Sequence, residues 1–173
     1  MSWRRRRVAE LEELLTALDA AREDFHAALG EVDAELVTVP GVVGDWSVRD
    51  LVVHVAAWDE HGAGALELAS SGRGADFAYS TSDTDAENDR IEAEALRTSP
   101  SEALAREERA FAEFRAAIAE LDPALLDHQL GNGDSVEAVI RYDGADHYAE
   151  HAEHIRAWFG PDEDPDDPAT EGG

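Results

Sequence analysis

The chain has 173 residues, of which 43% are hydrophobic, and this length and composition predict one globular domain. Forty acidic residues stand against fourteen basic ones, all of them arginine, so the formal net charge is −26. Such an acidic surface repels phosphate backbones and anionic lipids, which excludes nucleic acids and membranes as general partners.

Five helical segments are predicted along the chain. In the first, residues 8–29, apolar side chains recur at spacings of three and four. Residues 31–46 form a long connection with a short extended piece at residues 36–39. Ser47 then has the side chain of a good N-cap for a second helix over residues 48–70.

The second half of the chain contains three more predicted helices. One covers residues 83–97, and the next runs from the capping sequence at Ser99 to residue 121. Ser135 or Asp134 caps the last helix, which continues to residue 159 and is ended by Gly160-Pro161. Four of the helices are long and amphipathic, and no strand pattern interrupts them, so the predicted fold is an all-α four-helix bundle.

The ends of the chain and its lack of cysteine define its expected organisation and location. Residues 1–160 are expected to form the single domain, and residues 161–173, with six acids and three prolines, a disordered acidic tail. No cysteine is present, so His, Asp and Glu are the available metal ligands. Because the sequence shows neither a signal peptide nor a long apolar run, we expect a soluble, cytoplasmic protein.

The placement of the histidines is the most informative feature of the sequence. His147, His151 and His154 lie in the last predicted helix at spacings of four and three, on the same stripe as apolar residues. His54 lies about 60° from the centre of the apolar stripe of the second helix. All four are therefore expected to face the interior of the bundle, whereas His61 is expected at its edge.

Inward histidines in this pattern can hold a metal ion. Two histidines four residues apart on a helix have Cβ atoms roughly 6 Å apart, so His147 and His151 can approach one ion. His54 from the facing helix would complete a three-His site with an open position. The alternative is that these histidines are hydrogen-bonded packing residues of the core.

Several neighbouring residues are expected around such a site. Asp50, Asp143 and Glu150 are candidates to hydrogen-bond the far nitrogens of the histidines and fix their orientation. The surroundings of the ligands, or the adjoining pocket, are expected to include His154, Asp50, Asp143, Trp58 and Trp158.

Residues 147–151 also spell the HxxEH motif of inverted zinc peptidases, in which Glu150 would be the general base. Such peptidases are far larger and take a further acidic ligand from a separate helix, which argues that the match is accidental. Glu150 remains the candidate catalytic residue that this motif offers.

Two segments of the chain resemble a known group of helical proteins. Residues 44–58 resemble the second-helix motif of the DinB/YfiT-like superfamily, most of all its ClbS/DfsB branch, with Trp46-Ser47, Asp50-Leu51, His54 and Trp58 in its pattern. The end of the last helix is similar too, with His147-Tyr148 followed by His151, Ile155 and Trp158. The resemblance spans roughly residues 8–160.

The resemblance implies a four-helix bundle with a pocket between the second and fourth helices. Metal-binding members hold a divalent ion such as Zn or Ni with one histidine of the second helix and two of the fourth, here His54, His147 and His151. Other relatives use a low-molecular-weight thiol, and ClbS-like members are associated with self-resistance to a reactive genotoxin. Relatives are commonly dimers, so a homodimer is expected.

Two functions from different classes follow. The first is a small metal-dependent enzyme, a hydrolase or thiol transferase acting on a small reactive compound, since no side-chain nucleophile is evident. The alternative is a non-catalytic protein that binds or sequesters a hydrophobic small molecule or toxin, with Trp46, Trp58 and Trp158 as walls. A purely structural or partner-binding bundle is a third interpretation.

Overall fold

The structure, a computed structural model, describes residues 2–159. Its helices are α1 (Trp3–Gly30), α2 (Val48–Ser70), α3 (Thr84–Ala95), α4 (Pro100–Glu120), α5 (Val136–Ile140) and α6 (Asp146–Phe159). Within the described residues there is no β-strand, only two isolated bridges. The fold is all-α, as predicted, and the predicted helix stop at Gly160-Pro161 and the predicted tail lie outside the described residues.

Side-chain caps fix where three of the helices begin. The Ser47 hydroxyl accepts from the backbone N–H of Asp50, whose carboxylate in turn accepts from the backbone N–H of Ser47. Ser99 and Glu102 form the same reciprocal pair at the start of α4. Ser135, rather than Asp134, caps α5 by accepting from Ala138.

Two local predictions are wrong. The first helix begins at Trp3 rather than Val8, so the four arginines near the N-terminus belong to α1. Residues 36–39 lie in turns and not in an extended piece, and Leu36 and Val39 close them with i to i+3 backbone hydrogen bonds. The β-branched residues there favour a strand only where a neighbouring strand can pair with them.

The last helix is not continuous, which also differs from the prediction. Residues Arg141–Ala145 form a π-helical segment between α5 and α6, and Gly144 has a non-helical backbone with φ −104° and ψ −108°. A Cβ added at Gly62 of α2 would lie 2.7 Å from the Phe114 ring and 3.3 Å from the Cβ of Asp143. The missing side chain of Gly62 therefore lets the π segment approach α2 closely.

Helix α2 lies at the centre of the molecule. Its residues 50–59 are all buried, because α4 and α3 pack against it and α5, the π segment and α6 also contact it. Helix α1 packs mainly against α6 and the π segment. Because the other helices surround α2, its polar residue His54 is buried in the interior.

A polar cluster is buried between α1, α2, α4 and α6. The hydroxyl of Tyr148 lies 2.6 Å from Oδ2 of Asp59 and 2.8 Å from Oε1 of Glu107. Glu107 also accepts two hydrogen bonds from Arg22 and contacts His26 at 3.0 Å. Asp59 and Glu107 are fully buried, so both carboxylates depend on this network for partners.

One phenolic proton cannot serve two carboxylates. Burial favours the neutral form of Glu107, but hydrogen bonds from His26, Arg22 and Tyr148 outweigh it and bring its pKa to about 2. Burial raises the pKa of Asp59 well above its usual range, with only partial relief from Tyr148. Tyr148 therefore donates to Glu107, and Asp59 is a neutral acid that donates to the Tyr148 oxygen.

This assignment predicts how Asp59→Asn changes stability with pH. In the wild type the unfolded carboxyl ionises above about pH 4 while the folded one stays protonated, so this residue lowers stability as pH rises. Because Asn cannot ionise, the variant should gain up to about 1.4 kcal/mol per pH unit relative to the wild type above pH 4. Urea unfolding at pH 4.5, 6 and 7.5 measures this difference.

The control for this test is Asp59→Ala, which removes the partner of Tyr148 and leaves a void. Because Ala cannot ionise either, this variant should show the same change with pH as Asp59→Asn, but with a free energy of unfolding lower than that of Asp59→Asn by about 1–3 kcal/mol at every pH. If the difference between Asp59→Asn and the wild type were the same at all three pH values, Asp59 would not be a neutral acid in the folded protein.

Candidate metal centre

The structure brings together the three histidines that the sequence nominates as metal ligands. Nε2 of His147 on α6 lies 2.8 Å from Nε2 of His54 on α2 and 3.0 Å from Nε2 of His151, one turn further along α6. The potential ligand atoms of the three residues all lie within 4.8 Å of one another. Three imidazole nitrogens thus converge on one point between α2 and α6.

Burial keeps these imidazoles neutral. His54 is 6% exposed and His151 is 5% exposed. Burial and the neighbouring His151 lower the pKa of His54 to about 3, and burial, His147 and His154 lower the pKa of His151 to about 2. Burial also lowers the pKa of His147. Neutral imidazole is the form that binds a metal ion, so no proton has to leave before binding.

The arrangement fits a divalent ion better than it fits mutual hydrogen bonding. At a metal–nitrogen distance of about 2.05 Å, two ligand nitrogens lie about 2.9 Å apart at the right angle of an octahedral site and about 3.3 Å apart at a tetrahedral angle, so small shifts of the rings bring both separations from His147 within reach of one ion. A neutral imidazole carries a single N–H, so Nε2 of His147 cannot donate to both neighbours at once. One ion would instead accept a lone pair from each ring.

Within the described residues, none of the three carboxylates predicted to orient the histidines makes a hydrogen bond with His54, His147 or His151. Asp50 is held by Ser47 and Arg49 at the start of α2, and its oxygens make no hydrogen bond with the histidines. Nδ1 of His54 and Nδ1 of His147 are buried and have no hydrogen-bond partner within residues 2–159. Only His151 has an outer partner, since its Nδ1 lies 3.2 Å from Nδ1 of His154.

A cavity of about 680 Å³ opens beside the three histidines. Of the residues expected around the site, Trp58, Asp143 and His154 line it, and Glu150 lines it from an exposed position on α6. Trp158 does not line it: its indole lies against Gly41, where an added Cβ would be 3.3 Å from Nε1. The end of α6 therefore packs on the connection between α1 and α2 rather than on the cavity.

The cavity also has lining residues that the sequence did not indicate. Tyr79 lies before α3 and Asn88 within it, Asp134 lies in the turn before α5, and Tyr142 is in the π segment. Two of the four lie in connections without a periodic apolar pattern, and a third follows a break in helical register. Of these residues, the sequence had drawn attention to Asp134, as a candidate cap of the last helix.

A further pair, between His61 and Asp143, was missed. Nδ1 of His61 lies 2.7 Å from Oδ2 of Asp143, and Asp143 is 2% exposed. Burial raises the pKa of Asp143 to about 6, while the hydrogen bond from His61 and its charge act in the opposite direction. His61 is half-buried among Trp58, Phe77 and Tyr79, and it is not one of the three histidines that converge between α2 and α6.

None of the helices in residues 2–159 combines the length and the apolar composition that a membrane span requires. A crystal structure of an uncharacterised protein from Escherichia coli UTI89 shares the fold, with a TM-score of 0.73. The two chains are 18% identical, and the alignment covers 86% of this chain and 91% of the other. A search of curated proteins finds no match.

The model of the mycothiol maleylpyruvate isomerase N-terminal domain family matches residues 18–154. This range includes α2, the π segment and all four histidines that line the cavity. The match confirms the DinB/YfiT-like resemblance of the sequence, whereas the narrower ClbS/DfsB branch stays a prediction. Because the match covers most of its length, the chain belongs to the family of the mycothiol maleylpyruvate isomerase N-terminal domain, a DinB/YfiT-like helical domain.

Proposed function

We propose that the chain is a metal-dependent transferase that joins a low-molecular-weight thiol to a small electrophilic compound. The observation that carries this proposal is the convergence of three neutral imidazoles at the wall of a cavity large enough for a small molecule. The family, whose name refers to the thiol mycothiol, supports the choice of a thiol as the second reactant.

His54, His147 and His151 would hold the ion. A divalent ion bound there supplies a lowered pKa for a coordinated thiol or water, which makes the deprotonated nucleophile available near neutral pH. The three histidines leave further coordination positions open for such a reactant. His154 would fix the ring of His151 through its Nδ1 contact of 3.2 Å.

The described cavity lining offers no serine, cysteine or lysine to act as the nucleophile. Thr84 is the one hydroxyl-bearing aliphatic residue of the cavity lining, and its Oγ1 is occupied by the hydroxyl of Tyr79. The proposed attacking group is therefore an external thiol activated by the ion, and not a side chain of the protein.

Two features of the cavity would assist the reaction. Trp46 and Trp58 flank His54, with ring centroids 4.7 and 6.3 Å from its ring, and their apolar surfaces limit the access of water to the histidines. Glu150 lies exposed on the cavity lining, where its carboxylate can take up the thiol proton and pass it to solvent.

Replacing any one of the three ligands should abolish tight metal binding. We expect His54→Ala, His147→Ala and His151→Ala each to weaken Zn²⁺ or Ni²⁺ binding by more than about 100-fold, since loss of an outer partner alone costs about 10–100-fold. The measurement is elemental analysis of the freshly purified protein, together with competition against a chromophoric chelator.

Two further variants calibrate this result. His154→Ala removes an outer partner and should weaken binding by about 10-fold. His128→Ala changes an exposed histidine outside the cavity and should have no effect. Equal, near-zero metal content in the wild type and in His54→Ala, with no uptake of added Zn²⁺, would refute the metal site.

The proposed reaction predicts turnover that requires both the metal and a thiol. We expect the metal-loaded chain to accelerate conjugation of N-acetylcysteamine, an uncharged thiol, to an electrophilic probe such as monobromobimane, with loss of the acceleration in His147→Ala and after chelation. Glu150→Gln should lower kcat more than KM, because the carboxylate acts on the proton and not on binding.

Other outcomes would identify the competing functions. Metal-dependent consumption of a reactive ester at the same rate with and without thiol would identify a hydrolase instead. Stoichiometric binding of a hydrophobic compound by metal-free protein, with no turnover of any probe, would identify a sequestration protein.

A further inference from the structure

The cavity beside the three histidines is strongly acidic. Its lining includes five acidic residues and, among the residues that the structure describes, no arginine; the five are Asp45, Glu92, Asp134, Asp143 and Glu150. Since the chain has no lysine, no permanently charged cation faces the ligand space within the described residues. A divalent ion on the histidines would contribute two positive charges, which is fewer than the number of these carboxylates.

The charge of these five carboxylates is not compensated by neighbouring arginines. Arginine salt bridges within residues 2–159 use other carboxylates, as in the pairs of Arg22 with Glu107 and Arg106 with Glu60. A concave site with one sign of charge and apolar walls concentrates its electrostatic potential. The cavity is therefore a place where a positive group is stabilised and a negative one is repelled.

Asp143 is the most precisely positioned of the five. It is 2% exposed, and one of its oxygens accepts a hydrogen bond from His61 at 2.7 Å. His61 is itself fixed between the rings of Trp58 and Tyr79, with centroids 4.9 and 4.6 Å away. The missing side chain of Gly62 leaves room for Asp143 against α2. This carboxylate is thus held in place at the cavity wall rather than free at the surface.

Aromatic side chains complete the lining. Trp58 and Tyr79 meet nearly at right angles, with an interplanar angle of 80° and centroids 5.4 Å apart, and both line the cavity with Trp46 and Tyr142. Ring faces attract organic cations, most strongly where water is excluded. A buried carboxylate beside several ring faces is an arrangement that recognises an ammonium group together with its apolar substituents.

We propose that the cavity selects a compound carrying an amine, protonated at neutral pH, and discriminates against carboxylates. Asp143, oriented by His61, accepts the N–H of the ligand, and the rings of Trp58 and Tyr79 cover its apolar part. If the chain is the proposed transferase, this amine is the class of compound on which it acts. The preference of the cavity for an amine does not itself depend on that function.

The test compares three matched probes on the full chain. Phenethylamine, 2-phenylethanol and 3-phenylpropionate share a phenylethyl group and differ in whether its end is cationic, neutral or anionic. Calorimetric titrations are performed on protein as purified and after removal of metal by a chelator. In the metal-free protein we expect the amine to bind at least about 10-fold more tightly than the carboxylate, with the alcohol between them.

Two variants separate the contribution of Asp143 from that of the overall charge. Asp143→Asn keeps an acceptor for His61 and should weaken the amine about 10-fold while leaving the alcohol unchanged. Glu13→Gln removes one charge from an exposed position on α1, away from the cavity, and should leave all three probes unchanged. Thermal unfolding of each variant verifies that it is folded.

Equal or tighter binding of the carboxylate by metal-free protein would overturn the inference, as would an unchanged ratio of amine to alcohol in a folded Asp143→Asn variant. If the carboxylate binds only when metal is present, its binding is explained by coordination to the ion. The order of the three affinities in metal-free protein then decides the test. Because these titrations need no turnover, the amine preference can stand even if thiol transfer fails, and the reverse also holds.

Discussion

The close packing of α2 against the last helix is the constraint on which the site depends. Two contacts hold α2 against this part of the chain: the hydrogen bond that the protonated Asp59 donates to the Tyr148 oxygen, at 2.6 Å, and the tight approach of Gly62 to the π segment just before α6. Tyr148 is the immediate neighbour of His147 in sequence, so the buried cluster that fixes the tyrosine also fixes where the next side chain on α6 can point. The separation of 2.8 Å between His54 and His147 follows from this packing rather than from any partner of the histidines themselves.

Without a bound ion or ligand, burial of the three histidines lowers the stability of the fold. Three imidazoles are removed from water, and Nδ1 of His54 and of His147 make no hydrogen bond with the described residues. Buried polar atoms without partners cost stability, and apolar side chains of similar size would pack there without that cost. The cluster of Tyr148, Asp59 and Glu107 is different, because all but one of its buried oxygens have partners. Buried polar groups that lower stability in this way are typical of functional sites, where the binding of an ion or ligand compensates for the loss.

The sequence predicted those parts of the fold and site that depend on local chemistry and helical periodicity. The caps at Ser47 and Ser99 and the inward direction of His54, His147 and His151 belong to this class. Prediction from the sequence was wrong where the helical periodicity is broken, or where a residue has another hydrogen-bond partner close by in the chain. Asp50 closes the capping box and pairs with Arg49, so it is not available to the histidines. The π segment shifts the register before α6, and this shift, which a continuous helix would not contain, places Asp143 against His61.

Overall charge and local charge have separate consequences in this molecule. A net charge of −26 acts on every partner from a distance and is screened by salt over about 8–10 Å. The carboxylates of the cavity act at contact distance, and their effect depends on which acidic residues the arginines neutralise. On the outer faces of the helices, arginines pair with carboxylates across short helical spacings or between helices. Arginine is absent from the described cavity lining, so the distribution of arginine, more than the number of acids, leaves the carboxylates of the cavity without a neighbouring positive charge.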